Sequence, residues 1–387
     1  MNFPTVILSR RRRILSSSVI LSQRRRILSS LLLFLAATPA LAFPENVRHG
    51  YASCSSCHVS PTGGGVLTQY GRKSSEEFLA TWTREGENGL VWGAVDLPDN
   101  VAAGANVRHI NYQRNLDGVK TSRRFIMQAE GEIAVRLGKR LWLDFSRGSY
   151  NKFEQTQRAY ALFNIDDNFY VRAGKFFAPH GIYEPDHTTI TRRQLGFDQG
   201  METVNAESGF ISESGEVILA AILGNPKTGD QSIDPRSDDK GLVIRAAKYV
   251  GGKSQAGVSM VSTDGDYFTR AIAGAFVMTG IGDDFWHLGE VNYEKKQAKD
   301  HGGTGSALLS HQKLGWVPVR GVTLTLDWDS LVRLRGNFHS RQWSFGPGIQ
   351  WFPRPHFEVS FQALRVYQEA RSDKPAQDLK LMAHFWL

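Results

Sequence analysis

From about residue 102 onward, apolar and polar residues alternate along the chain in short runs. In the run 322–329, for example, valine, leucine and tryptophan alternate with threonine and aspartate. A period of two places the apolar side chains on one face of a strand and the polar side chains on the other. Clusters of glycine, proline, aspartate and asparagine mark the connections. The pattern predicts about 16 strands, at residues 102–112, 124–137, 140–150, 155–165, 168–177, 206–212, 214–224, 240–250, 254–263, 269–278, 284–295, 307–316, 321–331, 340–351, 355–367 and 377–387.

The strand pattern favours a mainly β fold, a transmembrane antiparallel β-barrel in residues 99–387. Half-apolar strands joined by short turns are typical of outer-membrane barrels. Aromatic residues make up 11% of the chain and would supply the girdles of such a barrel. An even strand number places both ends of the barrel on the periplasmic side. The alternative is a soluble periplasmic β-sandwich, whose strands would also alternate.

Two connections in the predicted barrel are long, namely residues 178–205 and 225–240. Both are polar and rich in glycine, proline and acidic residues. They are expected to be extracellular loops or a loop folded into the lumen.

The first 42 residues have the composition of a secretory signal peptide. Arginine runs precede an apolar stretch, and Ala40-Leu41-Ala42 resembles a cleavage site. These residues contain seven arginines and no acid, so the formal net charge of +8 falls to +1 without them. The basic balance therefore gives no indication of nucleic-acid binding. No run of 18 apolar residues follows Ala42, so no transmembrane helix is predicted.

The motif Cys54-Ser55-Ser56-Cys57-His58 contains both cysteines of the chain. C-x-x-C-H is the attachment sequence of a c-type haem, in which the two thiols bind the haem and the histidine ligates its iron. A loop disulfide between Cys54 and Cys57, or a thioredoxin-like redox pair, is the alternative. The redox pair would need a βαβ context, and the following Pro61-Thr62-Gly63-Gly64-Gly65 does not resemble the start of a helix. We therefore predict one covalent haem c held by Cys54, Cys57 and His58.

Residues 43–98 form a monohaem cytochrome c-like segment in this interpretation. A short helix is expected around Ser74 to Thr83, capped by Ser74 or Ser75. The glycines 63–65 are expected to form a tight turn that lets the backbone pass close to the haem. A segment of this size cannot bury a haem alone. We therefore expect it to lie as a plug inside the barrel lumen.

The second axial ligand of the iron is a separate question, because residues 43–101 contain no methionine. His49 is the local candidate. Candidates from the barrel region are His109, Met127, His180, His187 and Met201, and the position could also hold water. Glu184, Asp186 and His187 have the ligand types of an iron(II) docking site, although an ordinary polar loop has the same composition.

An exported chain with one C-x-x-C-H near its mature start and a C-terminal barrel resembles the fused outer-membrane monohaem cytochrome–porins. The local resemblance rests on the C-x-x-C-H motif, on Ser60 to Gly65, and on Tyr70-Gly71-Arg72. It implies electron transfer between an extracellular donor such as Fe(II) and a periplasmic c-type cytochrome or other carrier, in contact with outer-membrane lipid. If a substrate is oxidised at the site, the protein is an oxidoreductase. The alternatives are a porin or transporter with a structural or sensory haem plug, and a soluble periplasmic haem protein.

Overall fold

The computed structural model describes residues 44–87, 89–150, 153–184, 189–224, 239–299, 303–335, 341–369 and 371–387. The predicted signal peptide lies outside these described residues. Within them, no helix is long and apolar enough to cross a membrane.

Sixteen antiparallel strands close into one barrel. Each strand pairs with its neighbours in sequence, and the first pairs with the last from Asn106 opposite Trp386 to Asn115 opposite Gln377. The predicted fold class is confirmed, and the soluble β-sandwich alternative is wrong. The strands are β1 Val101–Leu116, β2 Val119–Leu137, β3 Leu141–Tyr150, β4 Phe153–Asn164, β5 Phe169–Phe176, β6 Thr203–Ser212, β7 Gly215–Ile222, β8 Lys240–Val250, β9 Ser254–Asp264, β10 Phe268–Ile281, β11 Phe285–Ala298, β12 Thr304–Val319, β13 Val322–Arg335, β14 Arg341–Arg354, β15 Phe357–Gln368 and β16 Ala376–Trp386.

Each predicted run corresponds to one strand, but several strands are longer than their alternating part. β1 and β2 continue to a tight turn at Asp117 and Gly118, which both have positive φ. The added residues, such as Lys120 and Arg123, are polar on both faces, so hydrophobic alternation does not reveal them. The hydrogen-bond ladder alone extends these strands.

The barrel is inside out relative to a soluble β protein. In β13, Thr325, Asp327 and Asp329 are buried towards the lumen, whereas Leu326 and Trp328 are 40% and 55% exposed on the outer face. Such a continuous apolar exterior needs lipid as its solvent. The alternation predicted from sequence therefore places polar groups in the interior and apolar groups outside.

Buried charges in the lumen are held in ion pairs. Arg172 lies 2.8 Å from Glu207, and Arg270 lies 2.8 Å from Glu294. A charge removed from water is tolerated when an opposite charge and hydrogen bonds compensate for the lost hydration. The polar lumen can therefore anchor chain segments that fold into it.

The N-terminal segment enters this lumen as short helical turns. They are a 3₁₀ helix at Pro44–His49, a 3₁₀ turn at Cys54–Ser56, helix α1 at Gln69–Ser74 and a π-helical turn at Ser75–Leu79. The expected helix start at Ser74 or Ser75 is wrong. Thr68 caps α1 by accepting a hydrogen bond from the Gly71 amide at 3.0 Å, because a threonine hydroxyl satisfies a free N–H of the first turn.

The segment is attached to one end of the barrel, at which β1 begins and β16 ends. The Arg48 guanidinium donates to the Asp283 carbonyl, and the His356 amide donates to the Ser75 hydroxyl. The Thr81 amide donates to the Phe352 carbonyl at 2.8 Å. The turns at this end are short, as on the periplasmic side of outer-membrane barrels.

The connection between β5 and β6 folds into the lumen from the opposite end. The Gly181 amide donates to Ser259 and the Ile182 amide donates to Glu290. Helix α2, Ile190–Leu195, packs its Leu195 in an apolar cluster with inward residues of several strands. Of the two interpretations for this loop, folding into the lumen is confirmed. Most of the other long connection, residues 225–238, lies outside the described residues.

A glycine turn joins the N-terminal segment to the β5–β6 loop. Gly63, Gly64 and Gly65 all have positive φ, between 71° and 88°. A Cβ on Gly64 would lie 2.5 Å from the Tyr183 ring, and one on Gly65 would lie 2.7 Å from the Arg158 guanidinium. The predicted tight turn is confirmed. It brings the backbone of the N-terminal segment against Tyr183 of the β5–β6 loop and against Arg158 of β4.

Gly64→Ala is expected to destabilise the docked turn by about 2–5 kcal/mol. The left-handed backbone costs an L-residue about 1–2 kcal/mol, and the displaced Tyr183 ring adds an overpacking cost of about 1–3 kcal/mol. Hydrogen exchange of the Val59 amide, which donates to the Val66 carbonyl at 3.1 Å, reports this local stability.

Gly282→Ala is the matched control, because Gly282 also has positive φ but a Cβ there meets no atom within 4 Å. It should leave exchange at Val59 unchanged. Adding Tyr183→Ala to Gly64→Ala should recover the overpacking part of the loss. Equal exchange at Val59 in Gly64→Ala and wild type would contradict the contact.

Candidate haem-attachment site

The C-x-x-C-H motif folds as one tight turn. The amides of Cys57 and His58 both donate to the Cys54 carbonyl, at 3.2 and 3.1 Å. The Cys57 carbonyl accepts from the Thr68 amide at 2.8 Å. A Cβ on Gly71 would lie 2.3 Å from the same carbonyl, so α1 approaches the motif as closely as only glycine permits. The turn places two thiols and an imidazole on one short stretch of backbone.

The His58 ring is oriented by the backbone on the far side of the glycine turn. Its Nδ1 lies 3.2 Å from the Gly65 carbonyl. A carbonyl only accepts, so this contact assigns the proton to Nδ1 and leaves the lone pair of the neutral ring on Nε2. Metal-binding histidines are commonly held in this way by a backbone carbonyl. The tautomer suits His58 as a ligand through Nε2.

Both thiols are free, and burial raises the pKa of each. Cys57 is fully buried against Tyr51 and Phe78, whereas Cys54 is partly exposed and lines a cavity. A reactive redox pair requires a lowered thiol pKa, because the thiolate is the nucleophile. The surroundings and the barrel context therefore disfavour the thioredoxin-like interpretation.

Cys54 and His58 open onto a narrow cavity between the N-terminal segment and the barrel wall. The cavity has a volume of about 110 Å³. Leu67, Met278 and Trp386 contribute apolar lining, and Arg108 and Arg158 contribute cations.

Arg158 is the most strongly bound charge at this cavity. Its guanidinium contacts Glu130, Glu132 and Asp144, and the two glutamates also line the cavity. Three carboxylates around one cation hold Arg158 in a fixed position beside the glycine turn. The wall of the cavity is therefore rigid and strongly polar on this side.

The residues present fit a covalent c-type haem. Two thiols and an imidazole with its lone pair on Nε2 share one turn, of which Cys54 and His58 line the cavity and Cys57 does not. The charge of Arg158 is already balanced by three carboxylates, so this side of the cavity offers no added attraction to the haem propionates. The rest of the cavity lining comes from several other segments of the chain.

His49 lies apart from this cavity. Its ring packs on Phe78 with centroids 5.0 Å apart, and its buried Nε2 has no hydrogen-bond partner among the described residues. Burial, followed by the charges of Arg48 and Lys253, lowers the pKa of His49 to about 4. The ring is therefore neutral at pH 7, but it does not line the space beside His58.

The other described candidates for the second axial position do not line the cavity either. His180 lies 3.0 Å from Asn292 and stacks on Phe197. His187 lies outside the described residues. The remaining candidates His109, Met127 and Met201 are described but absent from the cavity lining.

A histidine and a methionine that the sequence did not single out, His384 and Met278, do line the cavity. Both ring nitrogens of His384 are occupied, Nδ1 by Glu358 at 3.0 Å and Nε2 by Asn106 at 3.1 Å. Met278 is 4% exposed and packs with Val47 and Ile182. The alternation of inward and outward residues could have pointed to both, because each occupies an inward position of its strand.

The iron(II) docking residues are only partly described. Glu184 binds Lys313 and His311 on β12 inside the lumen, with its Oε2 2.8 Å from the His311 Nε2. Asp186 and His187 lie outside the described residues. In the described part of the chain, no group of three or more histidine, cysteine, aspartate or glutamate residues is placed to hold a metal ion.

No protein-family model matches the chain, and no curated protein matches it. Among solved structures, it is similar to an anion-selective porin from Comamonas acidovorans, with a TM-score of 0.58 and 10% identity over 74% of this chain and 99% of the porin. The DcaP channel of Acinetobacter baumannii gives 0.54 and 10% over 74% and 97%. OmpT of Vibrio cholerae, in trimer form, gives 0.58 and 8% over 74% and 99%.

These solved chains are covered almost completely, whereas about a quarter of this chain has no counterpart in them. At such low identity the likeness concerns the fold alone. The chain therefore has the barrel fold of outer-membrane porins, with additional residues beyond it.

Proposed function

We propose that this chain is an outer-membrane electron-transfer protein that carries one covalent c-type haem inside a porin-like barrel. The observation that carries the proposal is the position of the C-x-x-C-H turn, which lies within the lumen of a barrel with an apolar exterior. Arg172, on the lumen wall, donates to Ser60 and Thr62 directly after the motif. A soluble haem protein would present polar residues to water instead of an apolar exterior.

Three residues would hold the haem. Cys54 and Cys57 would bind it through thioethers, and His58 would ligate its iron through Nε2, with the Gly65 carbonyl keeping the ring in place. When bound, the haem supplies a one-electron redox centre whose potential depends on burial and axial ligation. The chain's own contribution is to position this centre and to limit its access to water.

Met278, rather than His49, would supply a second ligand to the haem iron. It lines the same cavity as His58, whereas His49 does not line that cavity and packs on Phe78. Its thioether packs among apolar side chains and has no competing polar partner of the kind that occupies His384. A methionine opposite a histidine is the ligand pair that raises the potential of a c-type haem.

We infer the two ends of the electron path from the position of the N-terminal segment. Its exposed residues Ser55, Gln69 and Lys73 lie on the segment that closes the short-turn end, which in an outer membrane faces the periplasm. A periplasmic cytochrome would accept electrons there. One haem does not bridge a hydrocarbon core of about 30 Å, so a small donor such as Fe(II) would reach it through the lumen.

A porin with a structural haem plug is the second candidate, and the similarity to channel-forming barrels favours it. The two segments folded into the lumen oppose it, because they occupy the path that a solute would take. Spectroscopy of the haem with iron(II) distinguishes the two functions.

Isolated outer membranes containing the protein should show a c-type haem spectrum that changes to the reduced form on addition of iron(II). Reoxidation by a periplasmic cytochrome should restore the first spectrum. Cys54→Ala combined with Cys57→Ala should abolish the signal, whereas Ser56→Ala should retain it. A haem that dithionite reduces but iron(II) does not would favour the porin with a structural haem.

Met278→Leu should lower the reduction potential of the haem and allow carbon monoxide to bind the reduced iron, because the thioether is removed at similar side-chain volume. Met127→Leu is the matched control, since Met127 is also buried on a strand but does not line the cavity. Redox titration and absorption spectra measure both effects. If Met278→Leu and Met127→Leu both keep the wild-type spectrum, and His49→Leu shifts it instead, the second ligand is His49.

A further inference from the structure

Residues 81–87 and 89–99, here named the rim strap, lead out of the lumen and over the edge of the barrel. The amides of Thr81 and Trp82 donate to the carbonyls of Phe352 and Pro353, at 2.8 and 3.1 Å. Glu87 forms an ion pair with Arg354. The strap starts at the end of β14 and leads to β1, which begins at Val101. It therefore follows the rim at the short-turn end of the barrel.

Two tryptophans of the rim strap pack on the outer face of the barrel. Trp82 meets Trp351 edge to face with ring centroids 5.8 Å apart, and Trp92 meets Phe385 at 5.3 Å. Trp351 precedes the buried Phe352, and Phe385 lies between two buried residues, so both occupy outward strand positions. The strap thus extends the aromatic girdle that faces lipid near this rim.

The middle of the rim strap is a tight turn with apolar residues at its tip. The Gly93 and Val95 amides both donate to the Leu90 carbonyl at 3.2 Å. Val91 and Trp92 at the tip have φ of 50° and 56°, a backbone region that bulky L-residues rarely adopt. The conformation is costly, and it leaves the side chains of Val91 and Trp92 partly exposed at the tip.

The large apolar residues of the rim strap are exposed. Trp82, Val91, Trp92 and Val95 have 56%, 42%, 48% and 41% of their surface accessible. The charged residues Arg84, Glu85 and Asp99 on the same strap are exposed as well. A segment with an apolar tip and charged flanks suits the boundary between headgroups and acyl chains, where tryptophan is enriched.

We propose that the rim strap is a lipid-binding segment that inserts Val91 and Trp92 into the headgroup region of the periplasmic leaflet. The occupant is a phospholipid bilayer surface, because the exposed tip is continuous with outward residues that already face lipid. Lipid binding by the rim strap does not depend on whether the chain carries a haem.

A nitroxide spin label at Val91→Cys, in protein reconstituted into phospholipid vesicles, tests the proposal. The label should collide more often with oxygen, which concentrates in lipid, than with a water-soluble nickel chelate present on both sides. Lys73→Cys is the control, because Lys73 is exposed on α1 at the same end of the barrel. Its label should collide mainly with the chelate. Wild type labelled in parallel supplies the background from Cys54 and Cys57.

Chelate accessibility at position 91 equal to that at position 73 would place the strap in water and overturn the proposal. Low accessibility to both reagents would also overturn it, since the tip would then be covered by protein. As a second measurement, Trp92→Phe should reduce the quenching of tryptophan fluorescence by lipids brominated near the headgroup. Quenching equal to that of wild type would contradict insertion of Trp92.

Discussion

The closure of the β1–β16 ladder is the constraint on which the rest of the structure depends. A closed ladder satisfies the backbone hydrogen bonds without an edge, which permits an apolar exterior in lipid. The alternation of strand side chains then directs the polar residues inward, where Thr325, Asp327 and Asp329 of β13 are buried. The lumen becomes a confined polar interior whose charges must be paired.

The N-terminal segment and the β5–β6 loop use that polar interior as their docking surface. Arg172 binds the segment after the C-x-x-C-H turn, and Glu290 binds the loop. The glycine turn brings the two together, since only residues without a Cβ allow Tyr183 so close. A segment too short to form a core of its own thus obtains its core from the barrel. The attachment motif lies in the space that remains.

The sequence predicts the parts of this structure that depend on local pattern. Alternation gives the sixteen strands, and the C-x-x-C-H motif gives the candidate site, because both are readable over a few neighbouring residues. The cavity walls depend instead on strand register, which brings Met278 and Arg158 near the C-x-x-C-H turn, from which they are a hundred or more residues distant in sequence. The cap of α1 is Thr68 rather than Ser74 or Ser75, and the Thr68 hydroxyl also donates to the Cys57 carbonyl, a contact between separate turns of the segment.

The central claim is that Cys54 and Cys57 carry a covalent haem in a barrel of the outer membrane. Intact mass spectrometry of the protein purified from outer membranes tests it most directly, with thiol alkylation on the same sample. We expect a chain that is heavier by the mass of one haem and in which neither cysteine is alkylated after denaturation. A mass without haem, and two thiols that become alkylated, would contradict it.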